Sequence, residues 1–173
     1  MAAKRELNKT FKVLVSILAI AFSAFYFYTA GFGILSSESH RGVYMLVTFL
    51  LSLLLYPASK KHPKSKLLYV LDALLILLSC ASILYWMFEY KEYASFRAGW
   101  TNQGDLIFGL ILIVLSLEIT RRVMGNVLPI IGLVMLALTY FGPYMPGIFH
   151  HGGVNIYSMV EYYYYTSGIF GTI

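Results

Sequence analysis

Two carboxylates, Asp72 and Glu118, fall inside long apolar runs. Ionisable groups at such positions are rare and costly, so each is a candidate for ion or proton coupling. Their neighbours favour a structural role. Glu118 precedes Arg121 and Arg122 at the i, i+3 and i, i+4 spacing that brings helical side chains together. Asp72 lies about one and a half turns into its own run, at the end where Arg121 and Arg122 are also expected. The reading is an intramembrane ion-pair group of Asp72, Glu118, Arg121 and Arg122 near one membrane face, away from the midplane.

Other residues invite chemistry less. His150 and His151 stand beside Gly152-Gly153, but a metal site wants more ligands at useful spacing; a loop or partner-contact role is expected. Cys80 is the only cysteine, so it forms no intrachain disulfide and reads as a small hydrophobe between helices. The run Glu161-Tyr162-Tyr163-Tyr164-Tyr165 suits the headgroup zone, where amphipathic tyrosines concentrate, more than a ligand box. No nucleophile with an ordered base and no phosphate-cradling glycine loop is present. Neither an enzyme nor a cofactor is expected.

The elements that hold these residues are apolar segments. A first span, Phe11 to Leu35, is long enough to cross about 30 Å of hydrocarbon. It is too long for a signal-peptide core and has no convincing cleavage site. A second, Val43 to Tyr56, follows the polar stretch Ser36 to Gly42 and stops at Pro57. A third runs from Leu67 to about Phe88. The segment Glu89 to Gly104 reads as a polar, aromatic connection too charged for lipid. Asp105 is expected to cap a fourth span, Leu106 to Thr120, which Arg121 and Arg122 close at the negative end of its dipole. A fifth, Val127 to Phe141, ends at Gly142-Pro143. The tail from Val154 to Ile173 reads as a membrane-surface helix leading into a re-entry.

Composition agrees with this pattern. The chain is 59% hydrophobic and 12% charged, against roughly 25% charged residues in a soluble domain. The expected fold is all-α and polytopic, with about five transmembrane helices and a C-terminal interfacial or re-entrant helix. The net charge of +5 is spread over short clusters between apolar runs. No clustered basic face exists for nucleic acid. With the N-terminus inside, the inner segments hold Lys4, Arg5, Lys9, Lys12, Lys60, Lys61, Lys64, Lys66, Arg121 and Arg122. The outer ones hold only Arg41, Lys91 and Arg97. Short basic loops resist translocation, so the N-terminus is expected to be cytoplasmic.

A series of linked motifs carries a family resemblance. It begins with Arg97-x-Gly99-x-Thr101-x-x-x-Asp105 and Leu117-Glu118-x-Thr120-Arg121-Arg122-x-x-Gly125, followed by Leu128-Pro129-Ile130-Ile131. Tyr140-Phe141-Gly142-Pro143-Tyr144-x-Pro146-Gly147, His151-Gly152-Gly153 and Gly168-Ile169-Phe170-Gly171 complete it. This series resembles the N-terminal region of fused permeases of tripartite ATP-independent periplasmic (TRAP) transporters, in the branch that works with TAXI-type solute-binding proteins. The resemblance covers roughly residues 40–173 and is strongest over 97–171.

It implies that residues 1–122 form a four-span, small-subunit-like scaffold and that 123–173 open a large, substrate-carrying part. The intact system would sit in a bacterial inner membrane. It would couple sodium entry to uptake of small organic acids such as C4-dicarboxylates, delivered by the binding protein. The outer segments Glu89 to Gly104 and Gly142 to Asn155 would face that protein, with Arg97, Trp100, His150 and His151 as contact residues. The resemblance places no substrate ligand on these 173 residues, so the remaining permease portion would be an obligate partner. The alternative is a membrane scaffold or assembly protein, or a truncated remnant, that transports nothing.

Overall fold

The computed structural model describes residues 5, 8–33, 36–58, 66–166 and 168–171, without the side chain of Lys66. Lys4, the basic loop 59–65, the last two residues of the expected first span and the final Thr172-Ile173 lie outside the described residues. All regular structure among the described residues is helical: α1 (Lys9–Phe32), α2 (Ser37–Leu55), α3 (Lys66–Glu92), α4 (Gln103–Met124), α5 (Val127–Phe141) and the short α6 (Ile156–Glu161). Three helical segments are long and apolar enough to cross a membrane. These are α1, α3 with its extension to Arg97, and α5 with its extension to Tyr144.

Local chemistry sets the helix ends. The Asn8 side chain accepts from the Lys9 amide at 2.7 Å, and Gly33, at φ 99°, ends α1 by donating to Thr29. Helix α2 begins at Ser37, six residues before the expected start, because the Ser36 hydroxyl caps it and Glu38 occupies its positive first turn. Helix α3 also overruns its expected end at Phe88. It continues through Glu92 and passes into a π-helical turn, Tyr93–Arg97. The charges that argued for a loop are paired along it, Arg97 with Glu89 and Glu92, and Lys91 with Glu38 of α2. In α4 the capping residue is Asn102, not Asp105. Asp105 is the third helical residue and accepts from the Asn102 amide at 2.8 Å, completing a capping box. Helix α5 matches its expected bounds, with Pro129 in the first turn, where a missing amide costs nothing.

Helix α4 is the centre of the molecule. Helices α2, α3, α5 and α6 all pack on it, while α1 packs mainly against α2, where the Tyr26 hydroxyl donates to the His40 carbonyl at 2.7 Å. The core joins Leu53 of α2, Ile83 and Trp86 of α3, Leu112 and Leu115 of α4, and Val160, Tyr164 and Phe170 of the tail. Two glycines allow the close approaches. A Cβ at Gly42 would stand 2.4 Å from Met87 Cγ, and one at Gly109 would stand 2.4 Å from Val160 Cγ1. Small residues that admit a neighbouring backbone or side chain are the usual device of helix contacts in lipid. Outside the core the surface is apolar: Phe27, Leu77, Phe88 and Val114 are all exposed.

The tail, expected as a surface helix leading into a re-entry, packs on the bundle. Helix α6 and its π-helical continuation, Tyr162–Thr166, lie against α4 and α3. Tyr164 and Tyr165 are buried, while Tyr162 is exposed. The Phe170 ring stacks on Trp86 at 3.8 Å. The tyrosine run thus has a core side as well as an exposed side.

Gly109→Leu is expected to lift α6 from α4 at a cost of about 1–3 kcal/mol, the usual penalty of overpacking. In a Trp100→Phe background, Trp86 emission would shift to the red as Phe170 leaves its face. An unchanged spectrum would count against the tail being seated there.

Candidate functional site

Charged side chains gather at the two ends of the bundle. At the first end, Asp72 on α3 is buried and accepts from Arg122 Nη1 at 2.6 Å and from the Arg5 guanidinium. Glu118 accepts from Arg122 Nε at 2.8 Å, and from Arg121 Nε at 2.7 Å and Nη2 at 2.8 Å. The two arginines also reach the end of α2. Arg121 Nη2 donates to the Ala58 carbonyl at 3.0 Å and Arg122 Nη1 to that of Tyr56 at 3.3 Å. Past Pro57 the chain cannot satisfy these carbonyls by continuing the helix, so the guanidiniums do so. The structure therefore brings Asp72, Glu118, Arg121 and Arg122 together, and adds Arg5 from 67 residues away.

At the opposite end Asp105, fully buried, collects four donors. The Tyr165 hydroxyl donates to Oδ1 at 2.6 Å and the Tyr85 hydroxyl at 3.1 Å. The Asn102 amide donates to Oδ2 at 2.8 Å and Arg97 Nη1 at 3.1 Å. Burial, and then the bond to Asp105, raise the Tyr165 phenol above its ordinary pKa, so it stays a donor. Beside this node Glu161 Oε1 accepts from the Gly99 amide at 2.7 Å and from the Tyr93 hydroxyl. The loop after α3 is thereby tied to both α4 and α6.

The residues expected to meet a partner separate into two kinds. Arg97 turns inward, held by Glu89, Glu92 and Asp105, so its charge organises the loop and is not offered outward. His151 is also engaged. Its Nδ1 accepts from the Gly153 amide at 3.1 Å, which leaves Nε2 to face the Leu138 carbonyl at 3.2 Å, one of the free carbonyls ending α5. Trp100, 82% exposed, and the exposed His150 remain open. Phe96, Tyr144 and Ile148 are exposed with them. No group of three or more metal-ligating side chains occurs among the described residues.

Sequence reasoning missed the Arg5–Asp72 pair and the role of Tyr85 and Tyr165 around Asp105. Neither has a short-range signature, because each joins residues 20 to 67 positions apart. Comparison with family models, curated proteins and solved structures gives no match.

Proposed function

We propose that the chain is a five-span membrane scaffold and docking part of a TRAP-type permease of the TAXI-associated branch, in a bacterial inner membrane with the N-terminus cytoplasmic. The observation that carries the membrane half of this reading is the spacing of the two polar ends. Asp72 and Glu89 are 17 residues apart on α3 and Asp105 and Glu118 are 13 apart on α4, about 26 and 20 Å at 1.5 Å per residue. The longer of the two approaches the hydrocarbon thickness of a bilayer, about 30 Å. On this reading α2 and α4 also span, their charged turns lying at the faces where ion pairs satisfy them.

The transport half rests on the linked motifs over 97–171. Residues 1–122 supply the scaffold, and α5 with the tail opens the part that carries substrate. The rest of the permease, a TAXI-type periplasmic protein and sodium complete the system. The exposed rim with Trp100, Tyr144 and Ile148 suits docking of that protein, since aromatic side chains anchor interfaces.

The test is recovery of the tagged chain from native membranes in mild detergent, with mass spectrometry of what accompanies it. A large multi-span permease portion or a periplasmic binding protein supports the proposal. The chain alone, monodisperse and stable, favours a non-transporting scaffold and removes the transport assignment. Trp100→Ala is expected to weaken binding-protein recovery about tenfold, equivalent to ~1.4 kcal/mol. Its thermal midpoint should not change, since the ring is exposed. Equal recovery would take Trp100 out of the docking surface.

A further inference from the structure

Beside the Asp72 cluster lies a cavity of about 340 Å³ with one charged end and apolar walls. Arg5, Asn8 and Asp72 supply its polar lining, and Phe11 of α1, Leu54 of α2 and Ile76 of α3 are among its apolar walls. The Arg5 side chain is 8% exposed and held by the Tyr69 ring, 4.9 Å from its guanidinium carbon. Its Nε is buried and meets no acceptor among the described residues. A buried guanidinium N–H without an acceptor is costly, and the group that best repays it is an anionic oxygen.

Charge favours an anion. Asp72 is already shared by Arg5 and Arg122, and Glu118 by Arg121 and Arg122, so among the described residues three guanidiniums face two carboxylates. Lys9 and Lys12 follow on the adjoining helix. The apolar walls argue against a free ion and for an amphiphile with its head at Arg5 and its chain beside Phe11 and Ile76. We propose that this cavity binds the phosphate headgroup of an anionic phospholipid, with the upper acyl chain between α1 and α3. Basic clusters at a membrane face attract such lipids generally; this one adds a shaped recess. The inference rests on the membrane reading and is independent of transport.

The full chain, purified from membranes in mild detergent, would be equilibrated with equal mole fractions of phosphatidylglycerol and phosphatidylcholine and examined by native mass spectrometry. Recovery in the membrane fraction checks the membrane reading separately. Phosphatidylglycerol should be retained preferentially, and Arg5→Gln should lower its retention about tenfold. Because Arg5→Gln also disturbs Asp72, Ala73→Phe is the decisive variant. Ala73 lines the cavity and is exposed, so the larger ring fills the recess and leaves every charge in place. It should reduce retention similarly, whereas Lys91→Gln at the opposite end should not. Unchanged retention in Ala73→Phe, or equal retention of the two lipids, overturns the proposal. Displacement by inorganic phosphate would identify a free-anion site and overturn the lipid assignment.

Discussion

Asp72→Ala is expected to be the most damaging single substitution in the molecule, lowering stability by about 3–5 kcal/mol. Arg122 is 1% exposed at its side chain, so removing the carboxylate leaves a buried guanidinium with only Glu118, among the described residues, to balance it. Arg5 loses its only ion-pair partner among the described residues in the same step. Denaturation in mixed detergent micelles would measure the loss. The double variant Asp72→Ala/Arg122→Met should recover a large part of it, because both charges then leave the interior together. Glu118→Ala should cost less, since Glu118 is partly exposed and Arg122 keeps Asp72. Equal losses for Asp72→Ala and Glu118→Ala would mean that the buried pair does not hold the bundle end.

Asp105→Asn should be nearly as costly, about 3 kcal/mol, although it preserves shape. An asparagine oxygen can still accept from Tyr85 and Tyr165. Its amide nitrogen, however, would face the Asn102 amide and Arg97 Nη1, both donors. Arg97 would also lose the fully buried one of its three carboxylates. The result expected is loss of amide protection in the first turn of α4 and in residues 97–102 under hydrogen exchange. Tyr165→Phe removes one donor and should cost about 1.5–3 kcal/mol, as for hydrogen bonds to charged groups. Full protection in Asp105→Asn would show that the capping box alone orders this end.

Much of this architecture could be read from residue order, and the failures have physical causes. Runs of apolar residues located the helices, and α5 agreed with its expected bounds because Pro129 and Gly142-Pro143 mark both ends unambiguously. The overruns of α2 and α3 came from treating charge as evidence of loop. Glu38, Glu89 and Lys91 are tolerated in helices because their partners sit on a neighbouring element or two turns along the same one. The Glu118 contacts followed from helical spacing alone. Those of Asp72 did not, since helix α4 must first return to α3, and Arg5 must first reach Leu55, to whose carbonyl its amide donates at 2.8 Å. The tyrosine run was half legible: composition assigned it to an interface, but burial of Tyr164 and Tyr165 depends on Gly109 admitting α6.

Helix α3 is fastened at both extremities, through Asp72 at one and through Glu89 and Arg97 at the other. A span free at one end meets a change in bilayer thickness by leaning, which is cheap. On the membrane reading proposed above, α3, cross-tied to α4 at both ends, cannot lean apart from α4 without breaking buried ion pairs, so the two helices would tilt as one body. A mismatch beyond what that common tilt absorbs would fall on the lipid, thinning or thickening around the protein. In that setting the cross-tied pair would serve as a gauge of fixed height, favouring membranes whose hydrocarbon depth matches the distance between its two latches.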